Sequence, residues 1–249
     1  MELAGPSVVF TYDSPHLKSS LVLESLVESG AIPSLVIAAP LEKLSVYQLE
    51  RQDFVRSGLT FKKDQRAIAD ELGIPYLVAK HNSEEAFSTL RELQPELGIV
   101  AGARILSETL IRKFSKGVLN AHPGLIPENR GLYNFHYGIL RQLPQAVTLH
   151  FIDERVDAGR IIEKEILQIS PKHSAAEVNR EMMKIQIRML SQQFTYSGLG
   201  AVEARVEGNP PNPRLTKNLE NMAVNQFDYY RTNYAAILER YLGKNDLLR

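Results

Sequence analysis

The chain contains no cysteine. Disulfides, thiolate metal sites and cysteine nucleophiles are therefore excluded. It also has no net charge, since 29 Lys and Arg balance 29 Asp and Glu. Broad electrostatic capture of nucleic acid or of an anionic membrane is not expected of such a chain. No apolar run is long enough to span a bilayer. The first residues, Met1-Glu2-Leu3-Ala4-Gly5-Pro6, lack a basic stretch ahead of an apolar core and do not read as a secretory signal. The expected compartment is the cytoplasm. What remains is ordinary for a globular protein, with 44% hydrophobic and 23% charged residues over 249 positions. That length suits one large domain or a domain with an appendage.

The pattern alternates between strands and helices. Ser7 to Tyr12 reads as a buried strand, Leu17 to Ser29 as a helix closed by Gly30, and Leu35 to Ala39 as a second strand. Residues 40–60 are poorly patterned. Asp64 is placed to cap a helix through Leu72, ended by Gly73, and Pro75 to Val78 forms a short strand. Asn82 and Glu85 have capping-box spacing for a helix to Leu93. Leu97 to Ala101 is the next strand, and Ser107 caps a helix to Phe114. Further strands follow over Gly117–Ala121, Ala146–Ile152 and Arg160–Ile169, with a helix over Asn134–Arg141. Ser174 and Glu177 form a capping box for a helix to Phe194, whose apolar stripe is Val178, Met182, Ile185 and Met189. Gly and Pro cluster between Gly198 and Pro213, a linker or irregular arm. One final helix, Asn225 to Tyr241, carries Phe227, Tyr230, Tyr234, Ile237, Leu238 and Tyr241 on a single face suited to a core or a dimer seam. The predicted class is α/β, a Rossmann-like, mostly parallel twisted sheet with helices on both faces and a small C-terminal extension. The predicted boundaries are 1–195 for the catalytic domain and 196–249 for the extension.

The chemistry concentrates in two segments. Asn120-Ala121-His122-Pro123-Gly124-Leu125-Ile126-Pro127 follows a strand, so the period of two points Asn120 and His122 to the same side. Asp157 ends the polar loop between the next two strands. An amide donor, a titratable ring and a carboxylate that favours its charged form are parts suited to acyl transfer. Ligands in open α/β sheets bind beyond the carboxyl ends of the strands, where Arg104, Asn120 and His122 all fall. The Ile126–Pro127 bond is expected to be trans, the lower-energy form, although a cis bond would also shape this loop.

Three stretches taken together resemble the 10-formyltetrahydrofolate-dependent formyltransferases. They are Gly98 to Leu106, Leu119 to Pro127, and Val147 to Ile162, and the likeness covers roughly residues 7–170 in order. The resemblance implies that Asn120, His122 and Asp157 are catalytic. It implies that 10-formyltetrahydrofolate is the formyl donor, and that backbone groups around Arg104, Ile105 and Leu106, and around Asp153 and Val156, hold the pterin. Such carbonyl chemistry needs no metal, and His150 and His173 have no ligand-like neighbours in the sequence.

The acceptor amine is less explicit. Purine-pathway members carry a glycine-rich phosphate loop after the first strand, whereas this chain has Thr11-Tyr12-Asp13-Ser14-Pro15-His16-Leu17-Lys18. The tRNA enzymes add a C-terminal barrel and need basic surface. Here residues 194–249 hold seven Lys and Arg against six Asp and Glu, which is no nucleic-acid face. A core with a short extension looks most like the sugar N-formyltransferases, which act on nucleotide-linked amino-dideoxy sugars destined for cell-surface polysaccharide. The expected substrate contacts are Asp13, Ser14, Arg130, Tyr133, Asn134 and His136. For Tyr133 and His136, packing is an equal reading, and Arg130 could equally pair with Glu128. The partners expected are therefore small molecules, with no nucleic acid, no membrane, and a homodimer if the last helix is a seam. Other formyl acceptors, a formate-releasing hydrolase and a non-enzymatic folate binder are the alternatives.

Overall fold

The computed structural model describes residues 5–40, 57–192 and 210–246. Seven strands form one sheet: β1 (Ser7–Tyr12), β2 (Leu35–Ala39), β3 (Tyr76–Val78), β4 (Leu97–Val100), β5 (Gly117–His122), β6 (Ala146–Phe151) and β7 (Ile161–Ile166). Their order is β3-β2-β1-β4-β5-β6-β7. The first five strands pair in parallel, while β5–β6 and β6–β7 are antiparallel. The strand order reverses between β1 and β4, so a crevice opens at their carboxyl ends.

Helices cover both faces: α1 (Leu17–Glu28), α2 (Gln65–Leu72), α3 (Glu84–Leu93), α4 (Glu108–Ile111), α5 (Asn134–Leu140), α6 (Ala175–Gln192), α7 (Lys217–Thr232) and α8 (Tyr234–Asp246). The strand period of two divides the core. Val9, Leu119, Ala121, Leu149 and Phe151 pack with α1, α2 and α6 on one face. Val8, Phe10 and Val118 pack with Leu90 of α3 and Leu110 of α4 on the other. Asn120 and His122 have the parity of Val118, and His150 and Thr148 stand opposite them on β6. The mostly parallel α/β sheet expected from the sequence is thus present.

Several local signals act as read. Asp64 accepts from the Ala67 N–H, Gly73 closes α2 in the left-handed region, and Ser174 and Glu177 form the capping box of α6. Others differ for identifiable reasons. The cap of α3 is Ser83, which accepts from the Ala86 N–H, because the Asn82 amide is engaged elsewhere. Helix α4 stops at Ile111 because Phe114 turns into the core and the backbone of Ser115 and Lys116 bonds to Pro95 and Glu96. The single last helix is in fact two. Asn233 is the C-cap of α7, and both its backbone N–H and its side chain donate to the Tyr229 carbonyl. The aromatic face is core: Phe227, Tyr230, Tyr234 and Ile237 are buried, with the Tyr230 hydroxyl donating to Leu143 O and that of Tyr234 to Leu167 O. These residues share a hydrophobic cluster with the sheet, so the extension packs onto the main body. Ile126–Pro127 is cis rather than trans. The Gly198–Pro213 arm is described only from Pro210 onward; its earlier part, and the Phe194 end of α6, lie outside the described residues.

Candidate active site

The site is built on the carboxyl end of β5. His122 is buried, and its Nε2–H donates to the Asn129 carbonyl at 3.0 Å. Its Nδ1 lies 3.2 Å from Asp157 Oδ2. Two acceptors therefore face the two ring nitrogens, and only the doubly protonated ring satisfies both. The loop that supplies Asn129 needs Gly124. A Cβ there would stand 2.5 Å from Asn129 O and 3.0 Å from His122 Nε2. Thr148 fastens the same loop from β6, donating to Gly124 O at 2.7 Å and accepting from the Ile126 N–H.

Asp157 has φ +46, in the left-handed region that a non-glycine residue adopts at a cost of roughly 1 kcal/mol or more. Its Oδ2 accepts from the Gly131 N–H at 3.1 Å. Burial pushes its carboxyl up. The His122 ring, by charge and hydrogen bond, together with His150 and Gly131, outweighs burial and holds it at about 2. An ionised carboxylate so placed orients the His122 ring through its Nδ1.

His150 belongs to this constellation, although the sequence reading set it aside as lacking ligand-like neighbours. It is fully buried, and its Nδ1–H donates to the Phe151 carbonyl at 3.1 Å. Burial holds the ring down at about 4, the Asp157 charge opposing only in part, so it is neutral. Its bare Nε2 then accepts from the Asn120 Nδ2 at 3.4 Å. That contact orients the Asn120 amide and leaves its second N–H for the cleft. The sequence signal was present but unreadable, because only antiparallel β5–β6 pairing sets residue 150 against residue 120.

A cleft open to solvent adjoins these groups. Every residue expected at the pterin site lines it: Arg104, Ile105, Leu106, Asp153 and Val156, together with Asn120 and Asp157. Ile105 is 72% exposed and Val156 38%, so large apolar side chains face solvent at its mouth. Asp153 shapes the wall, its carboxylate accepting from the Arg155 backbone N–H and guanidinium. Asn82, read as a helix cap, instead clamps the opposite wall. It donates to Ile105 O and accepts from the Ser107 N–H, both at 2.9 Å.

The expected acceptor contacts divide. Asp13 is held by Arg66 at 2.7 Å, with the Tyr76 hydroxyl at 3.4 Å. The Ser14 carbonyl accepts from Gln65, which also donates to Tyr12 O and braces the loop after β1. Arg130 reaches across to Val156 O at 3.1 Å rather than to Glu128. Tyr133 sits at φ +54 ahead of α5, its ring edge-on to His136. Asn134 and His136 turn inward and are buried; the Asn134 amide bonds within the protein, to Gly131 and Asn212. Lys18, not singled out from the sequence as a contact, donates to the Ala121 carbonyl at 3.2 Å, between Asn120 and His122. Burial lowers its ammonium to about 8 against the upward pull of Asp157.

The chain is 25% identical over 166 residues to the methionyl-tRNA formyltransferase of Chlorobium phaeovibrioides, covering 65% of this chain and 52% of that one. It spans about half the length, or less, of the curated relatives it matches. Among solved structures it resembles a sugar N-formyltransferase from a Shewanella species, with TM-score 0.58, 16% identity, and 88% of this chain and 86% of that chain covered. It also resembles phosphoribosylglycinamide formyltransferase from Bacillus halodurans, with TM-score 0.56, 19% identity, and 79% and 100% covered. The family model described as formyl transferase matches residues 28–194, more than half of the sequence, and the chain belongs to that family.

Proposed function

We propose that this chain transfers the formyl group of 10-formyltetrahydrofolate to the amine of a nucleotide-linked amino-dideoxy sugar. The observation that carries the formyl-transfer reading is the buried His122–Asp157 pair at 3.2 Å, beside Asn120 and opening onto the cleft. The walls of that cleft support the folate as its occupant. Exposed Ile105 and Val156 offer apolar faces to a flat ring system, and loop backbone supplies polar edges. When bound, the folate supplies an activated formyl carbon.

The residues' own parts follow. Asn120, oriented by His150, has one N–H for the oxygen that becomes negative as an amine attacks. His122 as imidazolium donates there and hands a proton to the departing nitrogen. Asp157 keeps that ring charged and accepts the amine's surplus proton, directly or through water. Lys18 holds positive charge beside the pair, which disfavours an ammonium acceptor and favours the free amine that can attack.

For the acceptor, three features support a nucleotide sugar. The loop after β1 lacks glycines and is braced by Gln65. The 194–249 segment has an excess of only one positive charge, a poor match to tRNA. The likeness to the Shewanella enzyme extends over 88% of this chain, against 79% for the glycinamide ribonucleotide enzyme from Bacillus halodurans. The test incubates the protein with 10-formyltetrahydrofolate and a panel of nucleotide-linked amino sugars, glycinamide ribonucleotide and methionyl-tRNA. Tetrahydrofolate release only with an amino sugar is the expected result. Release with another amine moves the acceptor, release with none added indicates a hydrolase, and no release at all sinks the transferase.

A further inference from the structure

We propose that Asn212, carried by the C-terminal arm, is a positioning residue for both His122 and Asp157; the catalytic importance of that pair rests on the function proposed above. Asn212 lies far from β5 in sequence and touches neither side chain directly. It acts through the three-residue segment Asn129–Gly131, which contacts both members of the pair. The Asn129 carbonyl accepts from His122 Nε2, and the Gly131 N–H donates to Asp157 Oδ2.

Asn212 grips that segment from two directions. Its backbone brackets Gly131, the Asn212 N–H donating to Arg130 O at 2.7 Å and the Leu132 N–H donating to Asn212 O at 3.2 Å. Its side-chain Nδ2 donates to Asn129 Oδ1 at 2.7 Å and to Asn134 Oδ1 at 3.3 Å. Asn129 is in turn tied to Asn134 O at 2.9 Å. All three amide side chains are buried, Asn212 at 3%, Asn129 at 1% and Asn134 at 6% exposure. A fully enclosed amide trio restricts its members to one arrangement, because each misplaced donor or acceptor would be left without water.

Two details separate this from ordinary packing. The Asn212 Oδ1 is buried with no hydrogen-bond partner among the described residues. An apolar side chain of the same shape would avoid that cost, so it is the amide's donors that the position uses. The approach is also too close for any other residue at 131. Gly131 has φ +96, and a Cβ there would stand 2.5 Å from Asn212 N and 2.8 Å from its carbonyl oxygen. The arm that composition marks as a linker is thus a buckle on the catalytic loop.

The test compares Asn212→Ala with Leu215→Ala, a buried change just beyond the arm that leaves the amide trio intact. Two readouts are taken: the His122 ring resonances in histidine-labelled protein, assigned with His122→Ala, and steady-state kinetics with 10-formyltetrahydrofolate and the best amine from the panel. Asn212→Ala is expected to displace the His122 resonances and to lower kcat at least tenfold, with KM for the folate within twofold. Leu215→Ala is expected to leave both within twofold or unshifted even where it lowers the melting temperature equally. Unchanged His122 resonances in Asn212→Ala, a displaced ring with kcat unchanged, or the same displacement in Leu215→Ala would overturn the proposal. If Asn212→Ala does not fold, Asn212→Ser, which keeps the backbone pairing, is read by the same measurements. If wild type formylates no amine, the function proposed above fails, whereas the His122 resonances still decide the role of Asn212.

Discussion

Asn120 Nδ2 donates to Nε2 of His150 across the β5–β6 pair, at 3.4 Å. The direction of that bond is set by the other ring nitrogen, whose hydrogen goes to the Phe151 carbonyl. His150 is therefore a neutral acceptor that aims an amide. Replacing it with Phe keeps the bulk and removes the acceptor. Turnover should fall about tenfold, less than the roughly 100-fold expected for Asn120→Ala, which removes the oxyanion donor itself. Single-turnover formyl transfer by the two purified variants checks the order; a His150→Phe variant as active as wild type would remove His150 from the site.

Asp157 and His122 depend on each other. Asp157→Asn keeps the side-chain shape but cannot balance an imidazolium, so turnover should drop on the order of 100-fold or more while the fold persists. His122→Ala should lose a similar amount, and the double variant little beyond either single one, as for residues acting as a unit. A double-mutant cycle on kcat measures this directly, and additive losses would contradict it.

Asn82 serves the cleft rather than a helix end. Asn82→Ala frees both sides of the Ile105–Ser107 turn, so KM for 10-formyltetrahydrofolate should rise several-fold with kcat nearly unchanged. Because Ser83 caps α3, the melting temperature should change little. Steady-state kinetics and thermal melts of the one variant test both parts.

Stability should decline as pH falls from about 6.5 toward 4. Burial lowers His16 and His150 to about 4, so in that window the unfolded chain binds protons that the folded chain refuses. Stability thus rises with pH across the window and levels off above it. The Asp157 contribution, with its carboxyl at about 2, is lost only at still lower pH. Thermal melts from pH 4 to 7 should show this slope, and His150→Gln should flatten it; a slope unchanged in that variant would remove His150 as a source.

By itself the amino-acid sequence determined the alternation of strands and helices, the caps at Asp64 and Ser174, and the shared face of Asn120 and His122. These follow from rules acting within a few residues, namely side-chain period and local hydrogen bonding. It also carried the cleft wall at 104–106, because loops after parallel strands fall at one edge of an α/β sheet, while the wall at 153–157, which follows the antiparallel β6, was legible only through the family resemblance. Tertiary structure alone decided the rest. The antiparallel turn from β5 to β6 set His150 against Asn120, and the return of the C-terminal arm seated Asn212 on Gly131. The same folding buried Asn134 and His136, which their position beside the Asn120–Pro127 loop had marked as substrate contacts, with packing an equal reading for His136. Each of these outcomes depends on which distant segment arrives as a neighbour. Only the burial of the whole apolar core selects that neighbour, and no short window of sequence encodes it.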